Sequence, residues 1–300
     1  MPEVSVIIPT YNSARYIPAA IESILAQTLQ DIEVLVIDDG SEDDTNLVVR
    51  RYGGPVHYFY QKNHGVAAAR NRGIEKSRGR YIAFLDADDT WLPHKLERQL
   101  VGLKEHPEVG ACYAAHVVVD ANLTPLAIQR SQQRVSTLAD LLTRGNVVGS
   151  LCTVVCQRSL FKEVGGFDPA LSQCADWDMW VRLATMTEFL YIDEPLATYR
   201  QHGANMSRNV PLLEYDSLRV LEKGFAMPGL SDSLRAQHRA ALARNYMVLA
   251  GSYFRAHCYR DFARCAARAV ALDVRQASYL AAYPVRAATR SRQQPITEAM

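Results

Sequence analysis

The sequence predicts a parallel α/β sheet covered by helices on both faces, followed by a mostly helical C-terminal extension. Through roughly the first third, short runs of branched apolar residues alternate with amphipathic segments. That pattern belongs to βαβ units whose strands are buried on both sides. From Pro211 onward the alternation gives way to apolar residues at i, i+3, i+4 in an Ala- and Arg-rich background, which reads as helix nearly throughout.

The elements follow in order. Val4–Pro9 is a buried-type strand, and Ser13–Gln27 a helix with Ile17, Ile21, Ile24 and Leu25 on one face. Ile32–Ile37, Val56–Tyr60 and Tyr81–Leu85 are three further strands, separated by helices over Asp43–Arg51 and Val66–Lys76. Ligands of such sheets gather at the carboxyl ends of the strands. There the sequence sets Thr10-Tyr11-Asn12, Asp38-Asp39-Gly40-Ser41 and Asp86-Ala87-Asp88-Asp89. After Trp91 the pattern changes: a helix over Pro93–Glu105, a longer strand Gly110–Val119 and a turn at Asn122–Pro125. Residues 126–150 are polar and resist assignment; short helices are expected over Phe161–Phe167 and Ala175–Ala184. One stretch of the C-terminal part, around Ala250-Gly251, Tyr259 and Ala269–Asp273, resembles a single tetratricopeptide-like hairpin.

Composition supports a folded protein, since 48% hydrophobic and 22% charged residues suit neither a disordered nor a fibrous chain. The net charge of +1 is unevenly spread. From Ser231 on, eleven arginines face four acids, about +7, which leaves about −6 for residues 1–230. Two parts with different surroundings are implied. The acidic front part offers nucleic acid no complementary surface. Six cysteines without CxxC spacing read as reduced thiols, and Cys152 and Cys156 as packing residues. Met-Pro-Glu leads into a short apolar run with no signal-peptide pattern, and no stretch approaches the length of a membrane span. A cytoplasmic protein is expected, at most at the inner face of the membrane.

Three clusters carry candidate chemistry. Asp86 and Asp88, at i, i+2 in a turn after a buried strand, can converge on one divalent ion, and oxygen ligands suit Mg²⁺ or Mn²⁺. Such an ion neutralises phosphoryl oxygens; the plainer reading is that Asp88, Asp89 or Thr90 caps the next helix. Asp39 can accept from a base or a ribose hydroxyl, unless Asp38–Asp43 merely forms a turn and cap. Gly65–Gly73 opens a helix with small residues that either admit a ligand, with Arg70 forked on phosphate, or simply pack tightly.

Taken together, Val4-Ser-Val-Ile-Ile-Pro-Thr-Tyr-Asn12, Asp38-Asp-Gly-Ser41, Gly65 to Gly73 and Asp86-Ala-Asp-Asp89 strongly resemble the family 2 glycosyltransferases. The likeness continues through Gly165-Gly-Phe-Asp168, Asp176-Trp-Asp-Met-Trp180 and Tyr199-Arg-Gln-His202, spanning about residues 3–205. It implies a GT-A Rossmann-like nucleotide-binding domain and inverting transfer to a hydroxyl. Matched position by position, Pro9, Tyr11 and Asp39 would line the nucleotide pocket, and Arg70 and Asn71 the diphosphate side. Asp86 would face ribose, Asp88 the metal, His202 a third metal or diphosphate position, and Asp176 would be the general base. Ala175 departs from the family's usual Glu; losing that like charge makes Asp176 more acidic. Asp178 is the alternative base, although its i+2 spacing points it elsewhere.

The expected organisation is a glycosyltransferase domain over 1–210, with a donor half (1–100) and an acceptor half (101–210), and a helical region over 211–300. The expected partners are a nucleotide-diphosphate sugar, UDP-sugar by family habit, and a glycan or lipid-linked acceptor, with Mn²⁺ or Mg²⁺. Trp177 and Trp180 are either sugar-stacking or core residues. The arginines at 235, 239, 244, 255, 260, 264 and 268 read as a solvated helix face. Peripheral membrane contact, or docking of a second copy as a homo-oligomer, stay open as uses of it. The rival reading is a non-catalytic nucleotide-sugar-binding scaffold, suggested by Ala175 and the helical tail.

Overall fold

Val4–Thr10 forms β1 with every residue buried, as the uninterrupted apolar run requires. It lies inside a mixed sheet in the computed structural model, which describes residues 1–131, 133–203 and 209–281. The other strands are β2 (Ile32–Asp38), β3 (Val56–Tyr60), β4 (Tyr81–Phe84), β5 (Thr90–Trp91), β6 (Ala111–Val119), β7 (Pro125–Gln129), β8 (Val135–Ser136), β9 (Val155–Gln157) and β10 (Phe189–Arg200). Their order is β3-β2-β1-β4-β9-β6-β10-β5, with β7 on β6 and β8 on β10. The first four named in that order are parallel; β9 runs antiparallel to β4 and to β6. The α/β architecture expected from the sequence is therefore present, with antiparallel additions.

The chain winds from β1 through β2 to β3 on one side, then crosses to put β4 on the other. Between β1 and β4 the direction of winding reverses, and this is where doubly wound sheets open a crevice for ligands. Pro9 marks its mouth. The last β1–β4 ladder bond runs from the Leu85 N–H to the Ile7 carbonyl. Pro9, two residues on, faces the same side and has no N–H to offer. The missing donor falls where β4 has already ended.

The small residues of the helix Val66–Lys76 serve packing. A Cβ on Gly73 would fall 2.3 Å from Ile7 Cγ2, and Ala67 and Ala69 are buried. The stretch packs tightly against β1, with Arg70 buried as well. Other expectations shift. The helix placed at Phe161–Phe167 runs over Arg158–Val164, and Phe167 instead packs edge-on to Phe84 at 5.3 Å. The helix after Trp91 starts at Lys95 with no side-chain cap, so Asp88, Asp89 and Thr90 cap nothing there. Thr90 and Trp91 form a strand, and β10 pairs with it. The β10 ladder is irregular between Ile192 and Ala197, around Pro195, which cannot donate to it.

By contact the chain divides into two units: Met1–Leu138 with Val147–Gly203, and Ala139–Asn146 with Ala204–Met300. In the second, the helices Val210–Phe225, His238–Arg255 and Tyr259–Leu272 enclose a core of Val210, Tyr246, Met247, Leu249, Ala250, Tyr253, Cys265, Ala266 and Ala269. Its arginines are largely used internally. Arg264 forks onto Glu214 with two bonds of 2.7 Å. Arg239 binds the carbonyls of Ala271 and Leu272, and Arg235 those of Phe225 and Met227, each at a helix end. Arg268 donates to the Tyr246 hydroxyl. All seven arginines of the expected basic face nevertheless stay exposed. Among the described residues no helix is long and apolar enough to cross a membrane, and the six cysteines are free thiols.

One buried charge stands out in the first unit. Lys95 is fully buried, its Nζ without a hydrogen-bond partner among the described residues and 4.0 Å from the centre of the Trp91 ring. Burial lowers its pKa to about 7. Because the folded pKa lies below the unfolded one, the unfolded chain binds the extra proton between about pH 7 and 10.5, and this group's contribution to stability rises with pH over that window. Lys95→Met should therefore stabilise the protein at pH 7 by roughly 1–4 kcal/mol. In urea unfolding, that advantage over wild type should shrink toward pH 10.

Candidate active site

The loops after β1 and β2 hold each other through short polar side chains. Asn12, at φ 49°, donates its N–H to Ser41 Oγ at 2.9 Å, and its Oδ1 accepts from the Glu42 N–H at 2.8 Å. The Ser13 N–H reaches Thr45 Oγ1, and the Ala14 N–H reaches Asp43 Oδ2. Asp38 ends β2 fully buried, accepting from the Ser41 N–H and from the Tyr58 hydroxyl at 2.6 Å. Burial, then that hydrogen bond and the carboxylate charge, push the Tyr58 phenol well up. Gly40 is required: at φ 87° its Cβ would lie 2.9 Å from the Asn63 backbone nitrogen. Asp39, buried, accepts from Gln61 Nε2 (2.7 Å) and from the backbone of His64 (3.0 Å) and Gly65 (2.8 Å). Its carboxylate thereby organises the loop leading into the helix Val66–Lys76, with one of its roughly four acceptor directions left over. Tyr11 stands half exposed at the end of β1, while Pro9 is buried in it.

The Asp86–Asp89 turn lies at the other side of the crevice. Arg70, buried, donates from Nη2 to Asp86 Oδ1 at 2.9 Å, its guanidinium 5.5 Å from the centre of the Phe167 ring. Arg70 Nε is buried with no partner among the described residues. Directly after the turn, β5 pairs antiparallel with β10, Thr90 opposite Thr198 and Trp91 opposite Ala197. Continuing that register brings Arg200 level with Asp88. Asp89 fixes it, its Oδ1 accepting the Arg200 N–H at 2.8 Å. Burial, then the charges of Asp88 and Asp86, hold the Asp89 carboxyl well above the usual range. His202 then meets Asp88, Nε2 to Oδ2 at 2.8 Å, across 114 residues of sequence. The Asp88 carboxyl is itself raised, by burial first and by the Asp86 charge second, with the His202 hydrogen bond opposing.

Asn71 and the acceptor-side residues fall elsewhere. Asn71 spends its amide on Phe167, Nδ2 donating to the carbonyl (2.8 Å) and Oδ1 accepting the N–H (2.6 Å). It clamps the segment before the helix Ala175–Leu183, a task that sequence matching alone does not suggest. Asp176 sits half-buried in the first turn of that helix, its Oδ1 accepting the Trp177 N–H. Asp178 is buried and paired with Arg182, Nε to Oδ2 at 2.9 Å, which removes it as an alternative base. Ala175 is fully buried. Trp177 and Trp180 are buried too, Trp180 edge-on to Phe189, so they are core residues. Asp89, Arg200 and Tyr16, whose ring lies on His202, belong to the site although no sequence pattern singled out their tasks.

The pair Asp88–His202 fits a divalent cation. Two ligands at neighbouring octahedral positions, each about 2.1 Å from the ion, stand about 3 Å apart, close to the 2.8 Å between Oδ2 and Nε2. Among the described residues no group of three or more His, Cys, Asp or Glu gathers to hold a metal unaided. The remaining positions would fall to water and phosphate oxygens, the habit of ions that work on phosphates.

Comparison with known proteins bears on the family and the fold. The sequence model described as glycosyl transferase family 2 matches residues 5–165. An uncharacterised glycosyltransferase of Rickettsia typhi is 33% identical over 228 residues, 75% of this chain and 71% of that protein. A Bacillus subtilis protein provisionally named a teichuronic acid biosynthesis glycosyltransferase is 32% identical over 213 residues, 69% of this chain and 82% of its own. Among solved structures, the mannosyltransferase PcManGT of Pyrobaculum calidifontis, in complex with GDP-Man and Mn²⁺, superposes with a TM-score of 0.65 at 20% identity, covering 95% of this chain and 80% of that one. S. aureus TarS 1–349 in complex with UDP-GlcNAc gives 0.61 at 16% identity, covering 90% and 91%. These likenesses give the fold as GT-A.

The Asn71 clamp yields a direct expectation. Asn71→Ala strands a backbone donor and acceptor of Phe167 and should cost about 1–3 kcal/mol in urea unfolding.

Proposed function

The chain belongs to glycosyl transferase family 2, and on that premise we propose that this glycosyltransferase is an inverting, metal-assisted enzyme using a nucleoside-diphosphate sugar. The acceptor is a hydroxyl in surface polysaccharide, glycolipid or other glycan assembly. The observation that carries the proposal is the meeting of Asp88 and His202 at 2.8 Å beside the Arg70–Asp86 pair, at the switch point of the sheet. The solved relatives named for UDP-GlcNAc and for GDP-Man with Mn²⁺ support a nucleotide-sugar donor. The uridine form is favoured by the motif resemblance. The teichuronic acid relative supports a polysaccharide acceptor.

In this reading residues 1–210 carry the reaction, with the donor on 1–100, the base and acceptor on 101–210, and 211–300 as a helical appendage. Tyr11 offers its exposed ring to the base, and Asp39 its remaining acceptor direction to base or ribose. Asp88 and His202 would hold Mn²⁺ or Mg²⁺, which would supply charge neutralisation for the departing diphosphate. Arg70, fixed by Asp86, turns its guanidinium to the same phosphates, and Asn71 keeps the neighbouring segment in place. Preset positive charge where negative charge develops is the larger catalytic contribution. Asp176 takes the proton from the acceptor hydroxyl as its oxygen attacks the anomeric carbon from the face opposite the diphosphate. The C–O bond to the nucleotide breaks with its electron pair passing to the leaving phosphate. Asp176 acts as this base with Ala175 beside it in place of the family's usual Glu.

A thermal-shift screen of nucleoside-diphosphate sugars with and without Mn²⁺ identifies the donor, since stabilisation grows with ligand concentration only for what binds. Asp88→Ala should abolish metal-dependent release of nucleoside diphosphate. Asp176→Asn should leave donor binding intact while turnover falls roughly 10²–10⁴-fold; full activity in that variant would remove Asp176 as the base.

A further inference from the structure

Two residues beyond the end of a strand, a histidine side chain has torsional freedom that would blur any metal site it served. Something must fix the plane of the His202 ring, and the Tyr16 ring lies where it can do so. The Tyr16 ring lies on the imidazole, centroids 4.9 Å apart and planes 16° from parallel. The same phenol ring carries the Arg200 guanidinium at 5.0 Å and that of Arg15 at 5.2 Å. Cations packed on its face hold the aromatic ring in turn.

Tyr16 is well placed to act as a rigid backing. It precedes the helix Ile17–Leu25 and contributes no side-chain cap to it, so its side chain has no local structural task there. The helix is anchored by Ile17, Ala20, Ile21 and Ile24, all fully buried. Arg200 is fixed independently, through its backbone N–H on Asp89 and its Nη1 on the Ala121 carbonyl. The Tyr16 hydroxyl makes no hydrogen bond among the described residues, so the flat ring alone is in use.

We infer that Tyr16 is a positioning residue for metal capture: it fixes the plane of the His202 imidazole so that Nε2 stays aimed at Asp88. The inference rests on the proposal that Asp88 and His202 hold the cation. Tyr16 touches neither donor nor metal in this account and works through His202 alone. Groups that orient a metal-binding histidine typically govern about 10–100-fold in metal affinity.

The test is Mn²⁺ affinity of the full-length chain, read from the free-ion electron paramagnetic resonance signal in the presence of UDP or GDP. Tyr16→Leu removes the flat face and should weaken Mn²⁺ binding by about tenfold or more, whereas Tyr16→Phe keeps the face and should stay within about twofold of wild type. His202→Ala is the reference. If His202→Ala binds Mn²⁺ like wild type, the metal reading of the pair fails, and the inference with it. If His202→Ala weakens binding while Tyr16→Leu does not, the inference alone is overturned. A loss in Tyr16→Phe as large as that of His202→Ala also overturns it, and this arm stands even if Tyr16→Leu does not fold.

Discussion

The short antiparallel pairing of Thr90–Trp91 with Thr198–Ala197 is the constraint on which the site depends. Without it, the acidic turn after β4 and the end of β10 would be unrelated loops separated by more than a hundred residues. With it, the register sets Arg200 level with Asp88, Asp89 locks that level through the Arg200 N–H, and the next turn of chain delivers His202 to Asp88. The bond from the Leu92 N–H to the Leu196 carbonyl and the contact between the Thr90 and Thr198 hydroxyls extend the same seam.

A second theme is the double use of buried carboxylates. Asp38 and Asp39 close β2, and each accepts from backbone and side-chain donors of β3 or the adjoining loops. Burying a carboxylate is costly unless it is hydrogen-bonded, and here the bonds shape the loops at the carboxyl end of β2. At the Asp86–Asp89 turn the balance differs. Asp86 has Arg70, but Asp88 and Asp89 are both raised by burial and by their acidic neighbours. Three acids close together with only partial compensation form a region of unspent negative potential, which is where a cation is most welcome.

Much of this was legible in the sequence. The helix Val66–Lys76 and the strand Val56–Tyr60 were readable to the residue, because Gly65 and Ser77, and Pro55 and Gln61, punctuate clear periodic runs. The acidic turns were expected at strand ends, and the family likeness put His202 at a third metal or diphosphate position. Less was legible where long-range contact decides. β5 and β8 are two residues each and exist only because β10 pairs with them. β10 itself is disguised by Asp193-Glu194-Pro195 in its middle. Asn71 looked like a polar residue on a ligand-facing helix, and only the fold reveals Phe167 against it. The C-terminal arginines are exposed as their spacing suggests, but nothing in that spacing announces Glu214 or the carbonyls at helix ends as their partners.

The central claim is that Asp88 and His202 jointly grip a cation bearing the donor's pyrophosphate. Anomalous scattering from crystals soaked with Mn²⁺ and a nucleoside diphosphate tests it most directly. The account predicts one peak within about 2.3 Å of both Asp88 Oδ2 and His202 Nε2, with diphosphate oxygens completing the sphere. A nucleotide bound in the crevice with no manganese peak between those two side chains would contradict it.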